Sequence, residues 1–521
     1  MVDQQLSAEQ VATIRESYAF TEPAIDLGVL DNGGEPVPDT RIRIPLSMLT
    51  RHGLIAGATG TGKTITLQLL AESLSSAGIP VLAADVKGDL SGIALPGVAS
   101  DKLAARTAAN GQAWEPKAAP AEFYALGGQG SGIPLRATVS AFGPLLLSKV
   151  LGLNDTQSST LSLVFAYADK AGLPLLDLAD LSELLKYLTG DEGKPELKNI
   201  GGVSTATAGV VLRKITELAS QGGDVFFGEP EFDTADLLRT DADGRGIVSV
   251  LELPNVQDRP ALFSTFLMWL LADLYHDLPE VGDVDRPRLV FFFDEAHLLF
   301  DGASKAFCEQ ITQTVRLVRS KGVGVFFITQ QPTDLPEQVL AQLGSRVQHQ
   351  LRAHTPNEAK ALKAVVNTYP ESGYDLDRAL QGLGTGQAVV TVMNPDGAPT
   401  EVAWTRVFAP VSQMGAAPAG AIDQMVQASA QYARYAQPVN RESAQEILAA
   451  KLAAGARAAQ AEAAQPEPPG SPGGVPRAAA GRARQEKSVV EKVVESSAFK
   501  QFARSAGREI VRSLFGTGRR A

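Results

Sequence analysis

Gly57-Ala58-Thr59-Gly60-Thr61-Gly62-Lys63-Thr64 is the segment that most constrains the fold of this 521-residue chain. It fits the pattern G-x-x-x-x-G-K-[ST], whose glycines allow a tight turn with successive N–H groups pointing at phosphate oxygens. A short apolar run precedes it at 53–57, and helical periodicity follows it at 65–76. The sequence therefore predicts a strand, a phosphate-binding loop and a helix, with Gly57 to Thr64 and Ile65 around a nucleotide.

Lys63 and Thr64 are the loop residues whose side chains are predicted to contact phosphate and metal. The Lys63 ammonium is expected to reach the β- and γ-phosphates, and the Thr64 hydroxyl is expected to bind Mg²⁺. A glycine-rich turn without a ligand is the alternative, and the flanking strand and helix disfavour it. We therefore predict ATP and Mg²⁺ as ligands.

A second element is the apolar run 289–293 followed by Asp294 and Glu295. A strand that ends in two acids places both carboxylates at the carboxyl edge of a sheet, where α/β proteins bind ligands. Asp294 is predicted to hold Mg²⁺ through water, and Glu295 to orient and deprotonate the attacking water. The pair favours hydrolysis over phosphoryl transfer to a small molecule.

Polar residues follow two further predicted strands. Gln330 follows the run 323–328, where its amide would contact the γ-phosphate or the attacking water; a simple turn former is the alternative. Asp85 and Asp89 follow the strand predicted at 80–85. They would support the Mg²⁺–water network, or instead form and cap a turn.

Arginines form the last candidate group. Arg316 and Arg319 are three residues apart on a helix predicted at 304–320, so they share one face. A guanidinium from a neighbouring subunit would stabilise charge at the γ-phosphate. A solvated helix face, with Glu309 as a partner, is the alternative. Arg346 is a third candidate.

Alternating strands and helices predict an α/β fold with a parallel sheet. Strands are predicted at 53–57, 80–85, 246–253, 288–293, 323–328 and 386–393, with helices at 260–278 and 304–320. The expected domains are an N-terminal arm with small strands at 1–45, an ATPase core at 46–410 with a mainly helical insertion at about 100–240, an Ala/Gln-rich helix with a Pro/Gly linker at 411–480, and a basic amphipathic C-terminal helix at 481–521.

Composition restricts the class of protein. The net charge of −11 means that DNA binding needs a local basic patch, and 6% aromatic residues disfavour a stacking surface for single strands. One cysteine, Cys308, excludes an internal disulfide and suits a reducing compartment. The polar start shows no signal peptide, and no run of about 18 apolar residues could span a membrane. A cytoplasmic protein is expected.

The tail has the opposite charge. Residues 477–520 contain 11 Lys/Arg and 4 Asp/Glu, a local balance of +7. Three roles are open for this segment. It would dock on the acidic body or a neighbouring subunit, contact nucleic-acid phosphates, or lie on an anionic membrane surface.

Three long segments resemble the HerA/FtsK superfamily, and within it the bacterial HerA-like proteins of the YjgR type. They are LVFFFDEAHLLF at 289–300, VRLVRSKGVGVFFITQQP at 315–332 and VLAQLGSRVQHQLRAHTP at 339–356. The resemblance implies a RecA-like core of the additional-strand, catalytic-glutamate class. It also implies a homohexameric ring with ATP sites shared between subunits. Arg319 matches the family's trans-acting arginine, and Arg316 is the second choice.

The resemblance also implies a substrate and a partner. Relatives of the archaeal type thread double-stranded DNA and work with a nuclease that docks on an N-terminal β-barrel. About 45 residues precede the core here, so we expect the barrel to be reduced or absent. The leading hypothesis is an ATP-hydrolysing, ring-forming motor on double-stranded DNA, of the translocase or helicase type. The alternative is a nucleotide-gated assembly or partner-binding ATPase that does not translocate DNA.

Overall fold

One twelve-stranded sheet dominates the part of the chain that the computed structural model describes, residues 5–199, 201–253, 260–301 and 305–463. The strands are β1 Ala24–Asn32, β2 Glu35–Pro45, β3 Gly53–Ala56, β4 Val81–Asp85, β5 Ala121–Leu126, β6 Ile133–Leu135, β7 Val248–Glu252, β8 Leu289–Phe293, β9 Val323–Thr329, β10 Ser345–Gln348, β11 Gln387–Thr391 and β12 Ala403–Val407. All six strands predicted from the sequence are present, within a few residues at each end.

The described residues also form helices. They are α1 Ala8–Ser17, α2 Lys63–Ser76, α3 Asp101–Ala109, α4 Val139–Val150, α5 Asp155–Ala171, α6 Leu178–Thr189, α7 Lys194–Asn199, α8 Thr205–Leu218, α9 Asp224–Phe226, α10 Pro260–Asp277, α11 Lys305–Val318, α12 Glu337–Leu340, α13 Pro356–Val366, α14 Leu376–Gly382, α15 Ala421–Ala428, α16 Ala430–Tyr435 and α17 Ala444–Ala463. No described helix is long and apolar enough to cross a membrane.

The strand order is β2-β1-β12-β11-β10-β3-β9-β8-β4-β7-β5-β6. The eight strands from β10 to β6 run parallel, and β11, β12, β1 and β2 continue the sheet in antiparallel pairs. The strand β9 lies between β3, which leads into the glycine-rich loop, and β8, which leads into Asp294. This insertion is the additional strand that the resemblance implies.

The centre of the sheet is apolar on both faces. The phenylalanines at 291–293 on β8 and at 326–327 on β9 are almost fully buried, as expected for parallel strands covered by helices. Gly53 begins β3 opposite Phe326, where a Cβ atom would lie 2.2 Å from the phenylalanine ring. The strand that carries the loop is therefore held tightly against β9.

The chain divides into two units. Of the described residues, those in 5–136 and 230–438 form a unit that contains the sheet, and those in 137–229 and 439–463 form the other. In the described part of the second unit, α4 to α9 are joined by α17, where the Ser443 hydroxyl and the Gln445 N–H both donate to Asp180 Oδ1 at 2.5 and 2.9 Å. We call these two parts the sheet unit and the helical unit.

The expected bounds of the helical insertion, 100–240, are wrong. The helical unit takes 137–229 from this range, because β5 and β6 and the helix α3 belong to the sheet unit. The N-terminal arm is also part of the sheet, since β1 pairs with β12. Residues 411–438 complete the sheet unit instead of beginning a separate region. The basic helix predicted at 481–521 lies outside the described residues.

Candidate active site

The glycine-rich loop begins where β3 ends and leads directly into α2. Gly60 and Gly62 have φ values of 81° and 121°, which a side chain would disfavour. A Cβ atom on Gly57 would lie 2.5 Å from the His349 Cβ atom. The Gly57 N–H donates to the Thr329 carbonyl at 3.2 Å, and the Ala58 N–H donates to the Gln350 carbonyl at 2.8 Å. The loop is thus held by its neighbours on both sides, a cradle shaped to fit a polyphosphate.

His349 supports this loop from behind. Its Nδ1 lies 2.8 Å from the Gln387 carbonyl, and its Nε2 lies 2.9 Å from the Thr66 hydroxyl. A carbonyl can only accept, so Nδ1 carries the proton and Nε2 accepts from Thr66. Complete burial, together with the nearby Lys63 charge, lowers the pKa of His349 to about 4. The neutral His349 ring therefore supports the loop through hydrogen bonds.

Lys63 rests on its own loop. Its Nζ donates to the Gly57 carbonyl at 2.7 Å and to the Ala58 carbonyl at 3.3 Å. Burial lowers the pKa of Lys63, and the charge of Lys87 acts in the same direction. Thr64 and Ile65 lie half-buried on the first turn of α2. The predicted phosphate ligands are therefore together at the helix N-terminus.

Asp294 and Glu295 follow β8 at the same sheet edge, and both are buried. Asp294 Oδ1 has no hydrogen-bond partner among the described residues. Burial raises the pKa of Asp294 to about 7, although the Lys87 charge acts against this shift. Glu295 has a φ of 48°, an unusual backbone conformation for a residue with a side chain. Strain of this kind is often found at functional sites.

Lys87 is the site residue that the sequence analysis missed. Its ammonium forms an ion pair with Glu295 Oε1, and His297 Nδ1 lies 3.3 Å from the other oxygen, Oε2. Lys87 lies on the turn after β4, and β4 pairs directly with β8. That pairing is a property of the sheet order, which the sequence near Lys87 does not reveal.

Asp85 and Asp89 lie where β4 ends, at the same edge of the sheet as Asp294. Asp85 Oδ1 accepts from the N–H groups of Lys87 and Gly88 at 3.1 and 2.8 Å, and its Oδ2 accepts from the Leu90 N–H at 2.8 Å. These bonds are the turn-forming role weighed from the sequence. Carboxylate oxygens of Asp85, Asp89 and Asp294 all lie within 4.8 Å of one another. Oxygen ligands at this spacing, with Asp294 Oδ1 unpaired, fit a hard cation such as Mg²⁺.

Glu252 is a further acid that the sequence analysis missed. It ends β7 opposite Asp85 on β4. Burial raises the pKa of Glu252 to about 7, and the Asp85 charge adds to the shift. The acids at the ends of β4, β7 and β8 therefore form one cluster, which we call the acidic edge: Asp85, Asp89, Glu252, Asp294 and Glu295.

Gln330 lies directly after β9, between the strands that carry the loop and Asp294. It is exposed and lines a cavity of about 590 Å³. The lining residues are His297, Phe300, Asp301, Cys308, Gln330, Gln331, Thr333, Asp334, Leu335 and Pro336. Asp334 fixes the turn after β9 by accepting from the Thr329 hydroxyl at 2.7 Å and the Gln331 N–H at 2.8 Å.

The candidate arginines lie at the opposite edge of the sheet. Arg319 lies four residues before the start of β9, and its guanidinium pairs with Asp283 at 2.9 Å. The seven residues of β9 span roughly 20 Å, so Arg319 is too far from its own chain's loop to contact a phosphate there. Arg316 is exposed and has no ion pair among the described residues. Arg346 donates to the Thr368 hydroxyl at 2.5 Å.

Glu309 was the partner expected for these arginines if they served only a solvated helix face. It lies instead 3.7 Å from Lys305 on the same helix. Asp283, on the segment before β8, takes that place for Arg319.

Two curated proteins are similar to this chain. The DNA double-strand break repair helicase HerA of Sulfolobus acidocaldarius is 22% identical over 360 residues, which cover 68% of this chain and 64% of that protein. The chain thus spans less than two thirds of the length of this relative. A protein named "Probable helicase MJECL08" from Methanocaldococcus jannaschii is 28% identical over 153 residues, 27% of this chain and 28% of that protein.

Solved structures support the fold. The bacterial conjugative coupling protein TrwB, in its trigonal form with sulphate, has a TM-score of 0.51 at 15% identity and covers 79% of this chain and 95% of its own. TrwB in complex with ADP and Mg²⁺ has a TM-score of 0.50 at 15% identity, over 78% of this chain and 93% of its own. The predicted RecA-like P-loop core with an additional strand is confirmed. A family described as helicase HerA-like C-terminal matches residues 32–521, and the chain belongs to that family.

Proposed function

We propose that this protein is an Mg²⁺-dependent ATPase that works as a ring-forming motor on double-stranded DNA. One observation carries the hydrolytic part. Lys63, Gln330 and the Asp294–Glu295 pair follow three adjacent parallel strands, β3, β9 and β8, at one sheet edge. Phosphate binding, water positioning and base catalysis therefore have candidate groups within one site.

ATP binding would use residues Gly57 to Ile65. Backbone N–H groups of the loop would cradle the phosphates, and the Lys63 ammonium would leave the Gly57 and Ala58 carbonyls for the β- and γ-phosphate oxygens. Thr64 would hold Mg²⁺ directly and Asp294 through water, with Asp85 and Asp89 supporting that network. When bound, the metal neutralises negative charge on the β- and γ-phosphates.

Hydrolysis would use Glu295 as the base. Water attacks the γ-phosphorus and gives its proton to the Glu295 carboxylate, while the bond to the β–γ bridging oxygen breaks and ADP leaves. Gln330 would orient the water or the γ-phosphate from the end of β9. Buried surroundings strengthen these electrostatic contacts.

Ring formation would complete the site. Arg319 lies too far from its own loop to contact ATP there, and a neighbouring copy would bring it to the γ-phosphate. The family resemblance, which includes hexameric rings, supports this arrangement. Arg316 is the second candidate because it is exposed and free of ion pairs among the described residues.

DNA as substrate is supported by the names of the relatives. We also propose a nuclease or another protein partner, and a cytoplasmic location. The net charge of −11 favours a second candidate function, an ATPase that orders an assembly without translocating DNA. In that case ATP hydrolysis would not respond to duplex DNA.

ATP turnover with and without duplex DNA, over a range of salt concentrations, separates the two functions. A motor predicts stimulation that falls steeply with salt, because phosphate contacts release counterions. No response to DNA would favour the assembly function. No ATP hydrolysis above the level of Lys63→Ala, with or without DNA, would contradict both.

A further inference from the structure

We propose that Lys87 is a positioning residue for Glu295. In the free protein its ammonium pairs with the Glu295 carboxylate, and this ion pair breaks when Mg²⁺–ATP binds in the loop. The catalytic base would then be available only in a loaded site. This inference rests on the proposed ATP hydrolysis and adds to it a control at the same site. It assigns a function to a lysine outside the phosphate-binding loop.

The two side chains of the Lys87–Glu295 ion pair are buried to different extents. The Glu295 side chain is 4% exposed, whereas the Lys87 side chain is 34% exposed. A buried carboxylate needs a partner, because leaving it unpaired is strongly destabilising. Lys87 supplies that partner from the more open side, where it has room to move away.

The turn that carries Lys87 is fixed by Asp85. Its carboxylate accepts from the N–H groups of Lys87, Gly88 and Leu90. Gly88 has a φ of 72°, and only its lack of a side chain makes this turn easy to adopt. The backbone of Lys87 is therefore held in place beside β8, while its flexible side chain can change partners.

Lys87 lies among several acids. Burial acts against its charge, but the contact with Glu295 and the carboxylates of Asp294 and Asp89 outweigh burial and raise the pKa of Lys87. Asp89 and Asp294 also belong to the cluster whose oxygens suit a cation. In the free protein the ammonium thus provides positive charge where Mg²⁺ would otherwise be attracted.

Binding of Mg²⁺–ATP would remove the reason for Lys87 to stay beside these carboxylates. The metal would compensate the carboxylates, and the γ-phosphate would compete with Glu295 for the ammonium. Lys63 is in a similar state, since its ammonium is held by two carbonyls of its own loop. Freed from Lys87, the Glu295 carboxylate would be open to the attacking water and could accept its proton.

Divalent-cation binding to the nucleotide-free protein tests this directly. We expect Lys87→Met to bind Mn²⁺ about tenfold more tightly than the wild type in an electron paramagnetic resonance titration, because a competing charge is gone. Lys87→Arg should restore wild-type affinity. Lys451→Met removes another lysine paired with a glutamate, Glu196 of the helical unit, and should change nothing. Equal Mn²⁺ affinity for Lys87→Met and the wild type would overturn the proposal.

A second measurement needs no change at Lys87. Competitive acetylation followed by mass spectrometry should label Lys87 at least about fivefold faster in Glu295→Gln than in the wild type, with Lys451 as the internal reference. Equal acetylation rates of Lys87 in the two proteins would contradict the proposal that Glu295 holds this ammonium. Steady-state kinetics separate this inference from the proposed function: Lys87→Met should lower the KM for Mg²⁺–ATP several-fold. A wild type without ATPase activity but with the expected Mn²⁺ result would contradict only the proposed function.

Discussion

Charged side chains are paired differently at the carboxyl and amino edges of the parallel strands. At the carboxyl edge, Asp294 and Glu252 each have a buried oxygen without a hydrogen-bond partner among the described residues. At the amino edge, Arg319 pairs with Asp283 at 2.9 Å, and Lys321 pairs with Glu280 at 3.2 Å. Among the described residues, the carboxyl edge keeps unpaired acid oxygens, whereas at the amino edge Arg319 and Lys321 each have an acidic partner.

The contrast indicates where a ligand is needed. Unpaired buried carboxylates are costly and fit a site that is completed by metal and nucleotide. The Arg319–Asp283 pair costs little to break, since Asp283 is 81% exposed and solvent screens it. The carboxyl edge is therefore suited to bind, and the amino edge to exchange one partner for another.

Glu295→Gln should give the largest loss. We expect turnover to fall about 10⁴-fold, the upper range for a positioned base, while ATP binding is kept. Lys63→Ala should lose both turnover and binding. Glu309→Gln, an exposed acid paired with Lys305 at 3.7 Å, is the matched control and should stay within about twofold. Full activity in Glu295→Gln would remove the carboxyl edge from the mechanism.

Arg319→Ala should give the next largest loss. We expect turnover to fall about 10³-fold, the lower end for a transition-state arginine, because Arg319 must first leave Asp283. Arg316→Ala, three residues earlier on the same chain segment, should change turnover by less than about twofold. A larger loss in Arg316→Ala than in Arg319→Ala would exchange their roles.

Acidification should lower the free energy of unfolding, because His349 behind the glycine-rich loop is buried as a neutral ring. His349 has a pKa of about 4 when folded and 6.5 as an ordinary side chain, so its contribution is complete above pH 6.5 and is lost as the pH falls toward 4. The full loss amounts to about 3 kcal/mol in the free energy of unfolding. All three tryptophans lie in the sheet unit, so their fluorescence in urea follows this transition.

A matched pair of variants isolates the His349 effect from other titrations. The pH dependence of unfolding should shrink in His349→Gln and stay unchanged in His354→Gln, because His354 is exposed. The same pH dependence in both variants would argue against a neutral, buried His349.

Asp283→Ala should give the smallest effect. Loss of this exposed pair frees Arg319 for a neighbouring phosphate, so turnover should rise about two- to fivefold. Asp285→Ala, two residues away, serves as the control. A fall in turnover for Asp283→Ala would mean that the ion pair itself is required.

The sequence predicted those parts of the site that are local. The loop from Gly57 to Thr64 and the Asp294–Glu295 pair each combine a strand, a turn and the reactive groups within about ten residues. Gln330 was predicted as a candidate for the same reason, since it directly follows the strand β9. Such short-range patterns are readable because periodicity and turn chemistry act over the same distance.

Residues joined by the sheet order were not predictable in the same way. Lys87 meets Glu295, and Glu252 meets Asp85, only because β4 lies between β8 and β7. The strands β5 and β6 were taken for part of a helical insertion, since each is short and flanked by helix-forming segments. Long-range pairing decides both cases, and a single sequence carries little of that information.

A mixture of two inactive variants tests whether copies of this chain share the ATP site. Lys63→Ala subunits keep Arg319, and Arg319→Ala subunits keep the loop, so one in four interfaces in a random mixture is complete. We expect the mixture to recover roughly a quarter of wild-type ATP turnover. Turnover no greater than the average of the two separate variants would contradict a shared site.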